Sequence, residues 1–281
     1  MKIKSYGKIN LSLNVLRRRE DGYHDLDMIM APISLHDTLD VEIADKDTFT
    51  SNIELDFTSN NTVCKAIELM RKEYNISECF KVHVEKRIPM QAGLAGGSSN
   101  GAAMLKAINE LCKLQLSEAE LLKIALKIGA DVPFCLKNKI CRVGGIGERL
   151  EVIKTDLNYF VLLVKPQSGV STKEAYENID FEACMHPNVE EAVIRLQKND
   201  TSFTTYIGNT LEASAMKINK EIMEVKHKMG KFPFDCVMMS GSGSCVFALT
   251  TNKEVIQHAL VELKEQYEFV EECSILSEKV R

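Results

Sequence analysis

The sequence lacks any apolar stretch long enough to cross a bilayer; its best run is Tyr159–Val164. Residues 1–15 alternate apolar and polar side chains, so no secretory leader is expected there and a cytoplasmic location is. Nine cysteines lie between Cys64 and Cys273, but none forms a C-x-x-C pair, so no zinc ribbon or dithiol redox motif is indicated. They read as reduced thiols serving as small apolar side chains. There is no basic excess either. The net charge of −5 argues against non-specific nucleic-acid binding, and an anionic substrate must be held by local devices such as loops and helix ends. No low-complexity segment and no fixed-period repeat is present. What remains is a chain of 281 residues, long enough for one large domain or two ordinary ones.

The most informative stretch is glycine-rich. It reads Pro89, Met90, Gln91, Ala92, Gly93, Leu94, Ala95, Gly96, Gly97, Ser98, Ser99, and then a helical pattern with Met104, Leu105, Ile108, Leu111 and Cys112 on one stripe. Glycines let several N–H groups turn into one hollow, serines add hydroxyls, and the helix start adds positive potential. Such a loop suits a polyphosphate.

Around it the pattern is mixed. Ile9, Leu11, Leu13 and Val15 alternate with Lys8, Asn10, Ser12 and Asn14, which predicts a half-buried strand. On this strand alone the polar face reads as solvated. Asp21-Gly22 predicts a turn beside Arg17, Arg18 and Arg19, a basic tip that is solvated or draws phosphate. Helices are predicted at Asn61–Glu73, from Ser117 (a capping box with Glu120) to about Gly129, at Val189–Leu196, at Asn209–Met229 and around Val255–Leu263. Strands are predicted at Phe80–Ile88, Tyr159–Val164 and Phe269–Leu276, with a pair within Cys236–Leu249 joined by Ser240–Ser244. Gly144–Glu148 reads as a tight turn. Asp131, before Val132-Pro133, is either a cap for a short helix or a residue with a chemical task. A domain boundary is expected near residue 155, dividing the chain into 1–154 and 155–281.

The glycine loop is no P-loop, because no Gly-Lys-Ser/Thr follows it, and the spacing is not that of a dinucleotide fingerprint. Pro89–Ala103 instead resembles the second signature of the GHMP kinases. Four further blocks resemble the branch of that superfamily acting on a diphosphocytidyl methylerythritol: Gly7–Leu13, Asp21-Gly22-Tyr23-His24, Gly129–Phe134 and Ser240–Ser244. They occur in the family's order over nearly the whole chain, and the Asp-Gly-Tyr-His block is the discriminating one.

The resemblance implies a two-domain α+β kinase. It would have an N-terminal mixed sheet with helices, a C-terminal ferredoxin-like α/β sandwich, and an active site in the cleft between them. It implies ATP as co-substrate with Mg2+, a small cytidylyl methylerythritol substrate phosphorylated on its C2 hydroxyl for non-mevalonate isoprenoid synthesis, and no nucleic-acid or membrane partner. Residue by residue, Lys8 and Asp131 match the catalytic pair: Asp131 takes or orients the hydroxyl proton, and Lys8 keeps it ionised and offsets phosphoryl charge. The loop Pro89–Ser99 would hold ATP. Asn10 would hydrogen-bond substrate or the pair. Tyr23 and His24 would read cytosine, with Thr172 and Tyr176 as the opposite wall, and Gly241 and Gly243 would close over the phosphates. Departures from the family pattern fall at Gly7, usually alanine, at Ala95, usually glycine, and at Asn100, usually aspartate; Asn100 is expected to act as a local cap at the helix start. A GHMP kinase for another small alcohol and a non-catalytic nucleotide-binding module remain as alternatives.

Overall fold

A computed structural model describes residues 1–277. In chain order the elements are β1 (Lys2–Arg18), β2 (His24–Ala44), β3 (Thr48–Ser51), α1 (Thr62–Tyr74), β4 (Cys79–Glu85), α2 (Gly96–Leu111), α3 (Glu118–Ile128) and α4 (Val132–Lys137). There follow β5 (Cys141–Gly145), β6 (Arg149–Val152), β7 (Phe160–Lys165), α5 (Thr172–Glu177), α6 (Val189–Gln197), α7 (Glu212–Ile218) and α8 (Glu221–Met229). The last are β8 (Cys236–Met239), β9 (Val246–Thr250), α9 (Lys253–Lys264) and β10 (Phe269–Ser274). They form two compact units. One comprises Met1–Gly7, Leu35–Pro89 and Ala95–Asn138; the other comprises Lys8–Ser34, Met90–Leu94 and the chain from Lys139 onward.

In the first unit, β4 pairs antiparallel with the end of β2, from Thr38↔Glu85 to Ala44↔Cys79, and parallel with β3. Helices α1–α4 pack on one another, α2 against α1 and α4. Their starts are encoded locally. The Asn61 side chain accepts the Val63 N–H at α1, and Ser117 with Glu120 forms the predicted capping box at α3. Apolar stripes supply the core: Ile67 and Met70 of α1, Leu105 and Ile108 of α2, Leu121 and Ile124 of α3. Each such side chain contributes roughly 1.5–3 kcal/mol by leaving water.

In the second unit, β2 from Leu26 to Met30 pairs antiparallel with β5, which pairs with β6. A second, wholly antiparallel sheet has the order β10-β7-β9-β8. Its inner strand β7 buries Val161, Leu162, Leu163 and Val164 in succession, so both its faces are covered.

Three expectations change. The helix expected over Asn209–Met229 is two helices, because Asn219 takes an extended conformation (φ −129°, ψ 102°) and its side chain accepts the Glu221 N–H at 3.0 Å, restarting the helix. The strand expected to reach Ile88 stops at Glu85, since the N–H groups of Arg87 and Ile88 turn to the Asp37 carboxylate. Lys8 and Asn10 are not solvated: they are 4% and 2% exposed.

Candidate active site

Within the second unit, strand β1 carries Lys8 and Asn10 on one face, as the alternation requires. A buried ammonium needs acceptors. Lys8 Nζ donates to Asn10 Oδ1 at 2.6 Å and to the Gly93 carbonyl at 2.8 Å, while the Lys8 backbone N–H donates to Leu94 O at 3.1 Å. The lysine thus meets the glycine loop through both main chain and side chain. Asn10 Nδ2 lies 3.4 Å from Met28 Sδ, which leaves its oxygen facing the amine.

The glycine loop lies on the Ser-Gly turn between β8 and β9. Ser244 N–H donates to Gln91 O (3.2 Å), Cys245 N–H to Ala92 O (3.3 Å) and Ser240 Oγ to Gly93 O (3.0 Å). Gly93 has φ +71°, and a Cβ there would sit 2.0 Å from the Ser240 carbonyl oxygen. Gly241, at φ +57°, is less tightly confined: a Cβ on it would meet both Lys8 Nζ and the Gly93 carbonyl at 3.2 Å. Asn209, which no motif singled out, holds this turn. It is 2% exposed, donates to Met239 O (2.9 Å) and Gly241 O (2.8 Å), and accepts from Leu211 N (2.9 Å). A lone asparagine carries no periodic signal, so only the fold reveals it.

At the far end of β1 the predicted aromatic residues separate. Tyr23 is 60% exposed, whereas the His24 ring packs on Tyr176 (centroids 4.8 Å apart) and lies stacked with Phe181 (6.5 Å). Phe181 went unnoticed in the sequence because it lies outside any periodic element. Burial, and then the charge of Arg18, push the His24 pKa below its ordinary 6.5, so its neutral form is favoured. Arg17 and Arg19 are matched within the tip: Arg17 donates to Asp25 at 2.6 Å and Arg19 to Asp21 at 2.8 Å. Thr172 Oγ1 lies 2.8 Å from Ser242 Oγ, joining the start of α5 to the turn that holds Gly241 and Gly243.

The first unit holds the rest. Ala95 occupies the N-cap position of α2 at φ +55°, the left-handed conformation that glycine adopts more readily. Gly96, Gly97 and Ser98 open the helix, where N–H groups have no acceptor within the helix. Ser99 is buried, its hydroxyl donating to Tyr6 O at 2.6 Å. Asn100 is not a cap; it is buried beside Asp37. Asp131 precedes α4, half-buried, and its side chain makes no capping bond to that helix. Pro89 closes the strand side of the loop. Among the described residues no three His, Cys, Asp or Glu side chains converge as a metal site, and no helix is long and apolar enough to cross a membrane.

Family models agree with this assembly. That of the GHMP kinases N terminal domain matches residues 61–139, and that of the GHMP kinases C terminal matches 185–268. The 4-diphosphocytidyl-2-C-methyl-D-erythritol kinase of Clostridium acetobutylicum is 37% identical, over 95% of this chain and 97% of its own. That of Lachnoclostridium phytofermentans is 39% identical, over 93% and 92%. A crystal structure of 4-(cytidine 5'-diphospho)-2C-methyl-D-erythritol kinase superposes with a TM-score of 0.84 at 30% identity, covering 98% of this chain and 99% of the other. The chain belongs to the GHMP kinases and, within them, to the family of these 4-diphosphocytidyl-2-C-methyl-D-erythritol kinases. It is a small-molecule kinase of α+β fold.

Proposed function

We propose that this kinase transfers the γ-phosphoryl group of ATP to the C2 hydroxyl of 4-diphosphocytidyl-2-C-methyl-D-erythritol in the cytoplasm, as a step of non-mevalonate isoprenoid synthesis. The observation that carries the reading is the buried Lys8 amine, held by Asn10 and by the carbonyl of Gly93 within the glycine loop. The substrate oxygen attacks the γ-phosphorus, the bond to the β,γ-bridging oxygen breaks, and ADP leaves. The hydroxyl proton passes to Asp131. Lys8 offsets charge on the transferred group, in a reaction that depends on positioning and electrostatics more than on strong base catalysis. Loop residues Pro89–Ser99 hold the triphosphate, whose Mg2+ arrives with it as part of the substrate. Neutral His24 presents one donor and one acceptor to the cytosine edge, with Tyr23, Tyr176 and Phe181 as its apolar surround. Thr172, Gly241 and Gly243 cover the diphosphate side. The N-terminal domain of this scheme ends near residue 154.

A coupled ADP-release assay across the cytidylyl alcohol, homoserine and mevalonate tests the substrate. Turnover is expected with the first alone, and turnover of mevalonate without the cytidylyl compound refutes the reading. Lys8→Ala and Asp131→Asn are each expected to lower kcat by about 100-fold or more with little change in the KM for ATP.

A further inference from the structure

In the first unit, Asp37 is completely buried. Such a carboxylate persists only where its oxygens are met. Oδ1 accepts the backbone N–H groups of Arg87 and Ile88, each at 2.8 Å, and Oδ2 pairs with the Lys86 ammonium. Asn100 completes the cluster. Turned so that its nitrogen faces acceptors, its amide lies 3.0 Å from Asp37 Oδ2, 3.2 Å from the Gly96 carbonyl and 2.7 Å from Ser5 Oγ. Lys86 Nζ reaches the same spot, 3.0 Å from where a Cβ on Gly96 would stand.

These partners come from two stretches of chain with one thing in common. Arg87 and Ile88 are where the chain leaves β4 for the glycine loop, and Gly96 is where it enters α2. We infer that Asp37, acting through Asn100 and Lys86, is the positioning residue of the nucleotide loop: one buried carboxylate clamps both feet of segment 89–95 and so sets the aim of the N–H groups at the start of α2. Asp37 touches no substrate in this scheme; it acts through the backbone. In this chain the link is an amide donor: the Asn100 nitrogen faces Asp37 Oδ2 and the Gly96 carbonyl together. The inference rests on the loop being the ATP site.

The test separates aim from stability. In Asp37→Leu/Lys86→Leu both buried charges go together, which removes the penalty of stranding one of them. Thermal unfolding and calorimetric binding of a non-hydrolysable ATP analogue are measured on that variant and on Asn100→Ala, which leaves the ion pair but cuts the link to Gly96. Nucleotide Kd is expected to rise about tenfold or more in the double variant and severalfold in Asn100→Ala. The KM for ATP should rise in parallel, with kcat and the KM for the alcohol nearly unchanged. Wild-type nucleotide affinity in either folded variant overturns the inference, as does an equal rise in both KM values. Should the double variant not fold, Asn100→Ala decides. Because analogue binding needs no alcohol, a wild type that binds the analogue yet leaves the cytidylyl alcohol unphosphorylated refutes the substrate assignment alone.

Discussion

Gly93→Ala puts a methyl group where there is no room for one. The new Cβ would stand 2.0 Å from Ser240 O and 2.9 Å from Ser240 C, against ordinary contact at 3.4 Å or more. The obstacle is backbone, so it cannot swing aside as a flexible side chain would. The residue also sits at φ +71°, where a Cβ costs about 1–2 kcal/mol. Relief requires the two loops to part by about 1 Å, which weakens the bonds from Ser244 N–H to Gln91 O, from Cys245 N–H to Ala92 O and from Ser240 Oγ to Gly93 O. At roughly 0.5–1.5 kcal/mol for each, the total destabilisation is about 3–5 kcal/mol. For a chain of this size that is a fall in Tm of about 10 °C, read by thermal unfolding. The Gly93 carbonyl also holds Lys8 Nζ, so the amine shifts with it, and a displacement near 1 Å costs about 100-fold in kcat. A variant whose Tm stays within about 2 °C of wild type and whose kcat stays within about threefold refutes this account of the loop contact.

Ala95→Gly carries the opposite sign: it relieves a left-handed alanine at φ +55° and places a better N-cap residue, against a loss of about 0.4–1 kcal/mol in chain entropy, so Tm should hold or rise by a degree or two, and a clear fall refutes the strain argument. His24 is depressed below 6.5 by burial, so the unfolded chain takes up the proton at higher pH than the folded one. Its contribution to stability is present above pH 6.5 and is lost as pH falls through 6.5 toward the folded value; Tm against pH should therefore fall more steeply in wild type than in His24→Gln over that window, and parallel profiles refute it. The Cys245 thiol is fully buried beneath the Ser-Gly turn and pushed up to about 12, so iodoacetamide at about pH 8 should leave it unmodified in the native enzyme, and labelling seen by mass spectrometry before unfolding contradicts its placement.

The parts legible in advance were those whose chemistry is local. The capping box at Ser117, the strand from Ile9 to Val15 and the helix that follows the glycine loop each place their signal within a few residues, and each element is found, although the polar face of the strand is buried. Ordered motif blocks led to the same kinase family that the relatives identify. The break at Asn219 was missed because helical periodicity continues across it while a single side chain–backbone bond decides the matter.

What the amino-acid order determined by itself is therefore the kinase family and the pieces that mark it: a glycine-rich loop before a helix, a lysine on a strand, an Asp-Gly-Tyr-His turn. Only the tertiary structure decided that Lys8 is buried against Gly93, that His24 rather than Tyr23 rests on Tyr176, that Asn209 latches the Ser-Gly turn and that Asp37 ties both feet of the loop. The reason is range. Turn, cap and alternation signals act through adjacent backbone, whereas a buried polar group finds its partners wherever folding brings the chain, and it must find them because an unmet donor or acceptor away from water is costly.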